Sequence, residues 1–352
     1  MSTYQRYLKY NPNDEFKGLT SISTIDMHTG GEPLRVIMSG FPELHGNNVL
    51  EYRRYMRENY DHLRTALMWE PRGHADMYGC ILTPPNDDQG DFGIIFIHNE
   101  GYSTMCGHAI IAISKLAFQA GWKQAVDGEN ILKIDAPCGR ITSFTKVENG
   151  IVGAVRFLGV PSFVLKMDQK LKVDGLGEVD LDIAYGGAFY AYVDMDKNDF
   201  DFSLSANDYQ HLIEYGMRIK KAVQSSDTAI LHPVEEDLSF LYGTIFLKTD
   251  LSSKSSKNVC IFADGEVDRC PTGSGVMGRM AIHHARKEIE VGGQLTVESI
   301  TGSKFIGTVH DSTNYGGYSA VIPQVQGSAF ITGKHTFIID PSDPMKKGFL
   351  LR

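Results

Sequence analysis

The sequence lacks the features that would direct it to a membrane or a nucleic acid. No apolar run approaches the roughly 18–20 residues of a bilayer span, and the opening MSTYQRYLKYNPNDEF holds no apolar core of a secretory signal. Basic residues are the minority: 34 Lys and Arg against 43 Asp and Glu leave a net charge of −9. No basic stripe or cluster offsets that charge, so a phosphate backbone is repelled and nucleic-acid binding is not expected. Cysteine is scarce and odd in number, at Cys80, Cys106, Cys138, Cys260 and Cys270. Five thiols in 352 residues fit a reduced, cytoplasmic protein better than a disulfide framework. No HExxH run or paired CxxC supplies a metal site.

What is present reads as a folded α/β enzyme. Hydrophobic residues at 42% and charged residues at 22% exclude a disordered chain. The 36 glycines exceed the usual share of about 7%, as turns and close backbone approaches in a sheet-rich protein require. The length suggests two domains. Short strand-like runs predominate, among them LTSISTIDMHT, FGIIFIHN, ILKIDAP and YSAVIPQVQGSAFITG. Helices are predicted over EYRRYMRENYDHLRTALMWEP, stopped by Pro71, and over MCGHAIIAISKLAFQAGW, ending near Gly121. Two more are predicted over about 205–226 and over CPTGSGVMGRMAIHHARKEI.

Two of these helices open on Gly-rich turns, MCGHA at 105–109 and PTGSG at 271–275. Aligning Cys106 with Thr272 pairs Gly107 with Gly273 and His108 with Ser274, a faint internal repeat that suggests two related domains facing each other. A helix start offers unpaired N–H groups and partial positive charge, which suit a carboxylate. Gly107, Gly273 and Gly275 let a ligand approach the backbone closely. Two facing starts could grip one carboxylate and stabilise the charge that builds on it when the α-proton leaves. Cys106 sits at the first start, where a thiol pKa is expected to fall and the thiolate to act as nucleophile or general base. A buried structural role is the commoner fate of a cysteine. His108, in the same turn, is placed to hydrogen-bond the thiolate or the substrate.

MCGH at 105–108 and DRCPTGSG at 268–275 resemble the signatures of the proline racemase family. IDMHTGGEPLR at 25–35, EPRGHADMYG at 70–79, HNEGYSTMCGHA at 98–109, DIAYGGAFYA at 182–191 and GSAFITG at 327–333 carry the resemblance from about Ser21 to the C-terminus. Racemases of this family use two catalytic cysteines, one in each motif. Here the first is Cys106, but the second position is Thr272. That pairing resembles the subfamily that dehydrates trans-3-hydroxy-L-proline. The alternative is a proline or 4-hydroxyproline racemase or epimerase.

The chemistry favours the dehydratase. A racemase needs an acid or base on each face of the α-carbon, and a threonine hydroxyl is too weak to serve at neutral pH. A carbanion that cannot be reprotonated from the far face can instead expel a β-hydroxyl. In trans-3-hydroxy-L-proline the α-hydrogen and the 3-hydroxyl share one ring face, so a single base there could take the proton and then help protonate the hydroxide.

The resemblance implies further roles. Cys106 is the proton acceptor and Thr272 the inert wall opposite. Gly107, His108, Gly273 and Ser274 cradle the substrate, and Asp268 meets the ring nitrogen as a charge-assisted partner. Neither metal nor cofactor is implied; the partner is a small imino acid, and a homodimer is compatible. Cys270 stands where the family pattern has serine, and Pro271 is expected to turn it away from Thr272. Cys80 and Cys260 read as structural and Cys138 as a turn residue. His28–Gly31 and Tyr185–Gly187 either shape the pocket or make turns. The implied fold is diaminopimelate-epimerase-like: two pseudo-symmetric domains, each with a mostly antiparallel sheet around a central helix. Residues 1–20 form a polar tail, 21–165 the first domain, with 330–352 returning to it, and 166–329 the second.

Overall fold

The computed structural model describes residues 3–7, 9, 16 and 18–351. Half of the predicted tail, 1–20, lies outside the described residues; within it Thr3–Tyr7 form the short helix α1, and the first strand begins at Thr20. Strands β1 (Thr20–Thr29) and β2 (Glu32–Ser39) form a hairpin whose turn, Gly30–Gly31, needs positive φ at both positions. Helices α2 (Val49–Asn59) and α3 (Asp61–Met68) precede β3 (Tyr78–Thr83), β4 (Phe92–His98) and β5 (Tyr102–Ser103). Helix α4 (Gly107–Gln119) is followed by β6 (Gly128–Ala136), β7 (Gly139–Glu148) and β8 (Ile151–Leu158). Next come β9 (Ser162–Val173), β10 (Gly177–Tyr185), β11 (Phe189–Asp194) and α5 (Tyr209–Ser225). After β12 (Leu241–Asp250), β13 (Ser255–Phe262) and β14 (Glu266–Val267) lies α6 (Gly273–Ala285). The last strands are β15 (Gln294–Glu298), β16 (Lys304–Tyr315), β17 (Tyr318–Gly327) and β18 (Ala329–Ile339).

Pairing closes these strands around two helices. In the second half the hydrogen-bonded order β9–β10–β11–β12–β13–β15–β16–β17 returns to β9, a complete ring around α6. In the first half, β18–β1–β2–β3–β4–β6–β7–β8 curves around α4. Its far edge, β8, pairs with β17, which runs on into β18. The two halves therefore share one seam, β8–β17. All pairings are antiparallel except β2–β3, β4–β6, β11–β12 and β13–β15.

Both central helices are buried on every side, as helices enclosed by strands must be. All of α4 from Gly107 to Phe118 is buried, and α6 is buried from Gly273 to His283. Two cations inside need oxygen acceptors. Lys115 Nζ donates to the Ala329 carbonyl at 2.8 Å, and Arg279 donates to Asn258 Oδ1 at 3.2 Å and Thr249 Oγ1 at 2.6 Å. Both helices end in the same cap. The first residue after the cap, Gly121 or Lys287, is left-handed, and the next N–H reaches back to Ala117 or His283.

The single helix predicted up to Pro71 is two. Tyr60 leaves the helical region at φ −129°, and α3 restarts at Asp61, whose carboxylate holds Arg64 at 2.7 Å. It ends at Met68, before Pro71. The apolar spacing runs on across the break, so periodicity alone could not reveal it. Both short helices lie on a satellite core outside the first ring. Among the described residues no helix is long and apolar enough to cross a membrane.

Candidate active site

The two ring-enclosed helices meet at their N-termini. A Cβ placed on Gly107 would lie 2.6 Å from the Gly273 Cα, and the converse is equally tight. Only glycine permits this approach of backbone to backbone. Cys106 caps α4 and Thr272 caps α6, so the two sit on opposite sides of one small cavity. Its free volume is about 20 Å³, close to that of a single water. A larger cleft of about 680 Å³, bordered by Phe200, Phe202, Lys248 and Lys257, lies elsewhere on the second half and contains neither motif.

The Cys106 side is built by the first half. The Ala109 N–H donates to Sγ at 3.4 Å, and His108 Nδ1 lies 3.1 Å from the same sulfur. His108 Nε2 is 3.2 Å from the Pro33 carbonyl. A carbonyl only accepts, so Nε2 carries the hydrogen and Nδ1 presents its lone pair to the thiol. Burial drives the imidazole pKa down to about 3, so the ring is neutral. Thr29 Oγ1 donates to the His108 carbonyl at 2.9 Å, and the Tyr78 ring meets the imidazole edge-on.

The sulfur does not behave as expected from its helix start. Burial pushes the Cys106 thiol well above its ordinary pKa, and the carboxyls of Asp268 and Glu32 push the same way. The Ala109 N–H and the Tyr78 hydroxyl oppose this and lose. Desolvation of the anion outweighs the helix N-terminus in the closed cavity. A raised thiol pKa means that thiolate grows with pH through neutrality and beyond. Alkylation of Cys106 by iodoacetamide, followed by mass spectrometry, should therefore climb from about pH 7 to about pH 9. A plateau already at the lower pH would show a stabilised thiolate instead.

The second half supplies the facing wall. Thr272 adopts φ 62°, left-handed and costly for a β-branched residue. The strained turn places the N–H groups of Gly273 and Ser274 at the mouth of α6, against Gly107. Ser274 Oγ is fixed by Tyr190 Oη at 2.7 Å. Asp268 is buried, and its Oδ1 accepts from the Cys270 N–H at 2.8 Å. Burial raises its pKa, against the pull of Cys270, Thr272 and Arg269. Cys106, Gly107, His108, Asp268, Thr272, Gly273 and Ser274 all border the cavity.

Several residues around the cavity were not singled out in the sequence. Glu32 is fully buried, its Oε2 accepting from the Arg269 N–H at 2.7 Å while Oε1 has no hydrogen-bond partner among the described residues. Tyr78, Tyr190, Tyr242 and Phe262 form an aromatic wall. Glu32, Tyr78 and Tyr190 lie inside the signature stretches at 25–35, 70–79 and 182–191, which was the available signal. Cys260, read as structural, borders the cavity beside Thr272 and Asp268. Cys270 does not border it, but neither is it turned away from Thr272 as expected: the tight turn through Pro271 folds its Sγ back to accept from the Thr272 N–H at 3.3 Å. Cys80 is core and Cys138 is in a turn. His28 stacks on Phe330 away from the thiol, and Gly186 packs against the Ser274 carbonyl.

A helix-in-ring architecture with facing helix starts places the chain in the diaminopimelate-epimerase-like fold class. The family model for proline racemase matches residues 24–350, and the chain belongs to that family. It is 47% identical over 348 residues to a trans-3-hydroxy-L-proline dehydratase of Colwellia psychrerythraea, covering 99% of this chain and 97% of the relative. It is 45% identical to a 3-hydroxyproline 2-epimerase of Burkholderia multivorans, over 94% of this chain and 98% of that protein. The crystal structure of a hydroxyproline epimerase from Agrobacterium vitis with bound trans-4-hydroxy-L-proline matches with a TM-score of 0.88 at 27% identity. It covers 94% of this chain and 95% of the other.

Proposed function

We propose that this protein is a hydro-lyase that converts trans-3-hydroxy-L-proline to Δ1-pyrroline-2-carboxylate and water without a cofactor. The observation that carries the reading is the lopsided pair at the two helix starts, a thiol at Cys106 and an alcohol at Thr272. The full-length likeness to dehydratases of that name supports the same substrate.

In this reading the substrate carboxylate lies between the N–H groups of Gly107 and His108 and those of Gly273 and Ser274, which stabilise the developing enediolate. Asp268 receives the secondary ammonium. Cys106, relieved of its proton, removes the α-hydrogen, and the 3-hydroxyl leaves from the same ring face. In the simplest cycle the new thiol proton accompanies it. In the resting site the Cys106 thiol donates to Nδ1 of neutral His108, a contact that ends when the thiol loses its proton. Thr272 closes the other face and exchanges no proton there.

The cavity is too small for the imino acid, so we infer that the halves 21–165 with 330–352 and 166–329 separate to admit it. All five cysteines are free, which suits a cytoplasmic enzyme. Incubation with trans-3-hydroxy-L-proline and with each proline and 4-hydroxyproline stereoisomer tests the assignment. Pyrroline formation from the first alone is expected. A change of optical rotation without water loss would make the protein an epimerase. Thr272→Cys should add racemisation of L-proline, read by chiral chromatography, because it restores a thiol to the far face; no racemisation would refute the opposed-face account.

A further inference from the structure

We infer that Glu32 is the general acid of the elimination, delivering a proton to the departing 3-hydroxyl on the ring face from which Cys106 removes the α-hydrogen. The inference rests on the dehydratase reading and replaces its simplest step, in which the Cys106 thiol does both.

Three observations carry it. Glu32 is fully buried, borders the cavity, and has one carboxyl oxygen without a partner among the described residues. A buried carboxyl oxygen left unpaired costs free energy, which a substrate hydroxyl would recover. Second, Glu32 enters from the same half as Cys106. It opens β2 immediately before Pro33, whose carbonyl fixes the imidazole that touches the sulfur. Asp268 and Thr272 come from the other half. A syn elimination needs its base and its acid on one face; the Glu32 backbone belongs to the Cys106 half, and its carboxyl bridges to the other through Oε2, which accepts from the Arg269 N–H. Third, two carboxyl groups share this closed space, and like groups so placed do not both ionise readily. Burial first, and Asp268 next, push Glu32 well above an ordinary glutamic acid, against Arg269. Arg269 is itself engaged by Asp76 at 2.9 Å. The site can thus hold one carboxylate for the ammonium and one neutral acid for the leaving group.

The step balances. The Cys106 thiolate takes the α-hydrogen as a proton, and the C–H electron pair becomes the Cα–C3 double bond. The C3–O bond breaks with its electron pair, and the oxygen takes the Glu32 proton and leaves as water. The enamine then tautomerises to the cyclic imine. Cys106 has gained one proton and Glu32 has lost one, so a single transfer through water between them restores the enzyme.

The test uses Glu32→Gln, similar in shape but unable to donate an acidic proton, in the full chain. Dehydration of trans-3-hydroxy-L-proline should fall about a hundredfold. Trans-3-chloro-L-proline, whose chloride leaves without a proton, should release chloride at the wild-type rate. Glu32→Asp, which keeps the acid, should recover part of the dehydration. Equal loss on both substrates would reduce Glu32 to a structural role and overturn the inference, as would undiminished dehydration. Wild-type protein assayed in parallel isolates the other failure: if it releases no water from the hydroxylated substrate, the dehydratase reading itself has fallen.

Discussion

Cys106→Ser is expected to lower dehydration by about a thousandfold or more. The exchange changes the cavity little, because the hydroxyl can still accept from the Ala109 N–H that now reaches the sulfur. What changes is acidity. An alcohol in the same buried position, flanked by the carboxyls of Asp268 and Glu32, has almost no access to its anion. Neutral His108 cannot substitute, since burial holds its pKa at about 3 and its Nδ1 already faces the residue it would have to replace. The measurement is steady-state pyrroline formation together with thermal unfolding. An unchanged melting temperature with lost turnover is the expected pair of results, and a serine variant of full activity would remove the thiol from the chemistry.

Gly107→Ala should be nearly as damaging for a different reason. The new methyl would stand 2.6 Å from the Gly273 Cα and 3.2 Å from the Phe157 ring, and the nearer obstacle is backbone rather than a movable side chain. Overpacking of this kind typically costs about 1–3 kcal/mol. The larger effect is on geometry. The methyl wedges apart the two helix starts proposed to grip one carboxylate, and a displacement near 1 Å at such a site can cost about a hundredfold in rate. Loss of kcat/KM well beyond the fall in melting temperature is expected. An alanine variant with normal kcat/KM would mean that the close approach of Gly107 and Gly273 has no part in catalysis.

Much of the candidate site's layout is legible in the sequence. Glycine-rich turns before the two most apolar helices marked Gly107 and Gly273, because glycine at a helix start is a statement about backbone access. Glu32 was not legible in the same way. It follows Gly30–Gly31 and looks like part of a turn, and nothing in its neighbourhood reveals that the hairpin is carried to a motif more than 70 residues later. Cys260 was hidden by its strand: a run buried continuously from Asn258 to Phe262 looks alike whether one face meets core or cavity. The ring closures through β17 are pairings between residues more than 150 positions apart in sequence, such as Ala320 with Phe163, and local pattern does not encode them. The thiol pKa went the opposite way because the sequence displays the helix start but not the burial that overrides it.

The left-handed turn at residue 272 bears on which side chains that position tolerates. Its conformational penalty falls on any side chain with a β-carbon, so it is independent of whether sulfur or oxygen is attached. Exchanging the two therefore leaves the scaffold almost equally stable, and cysteine, being unbranched, is if anything the easier occupant. The backbone strain at residue 272 thus sets no stability barrier between an alcohol and a thiol at the second helix start.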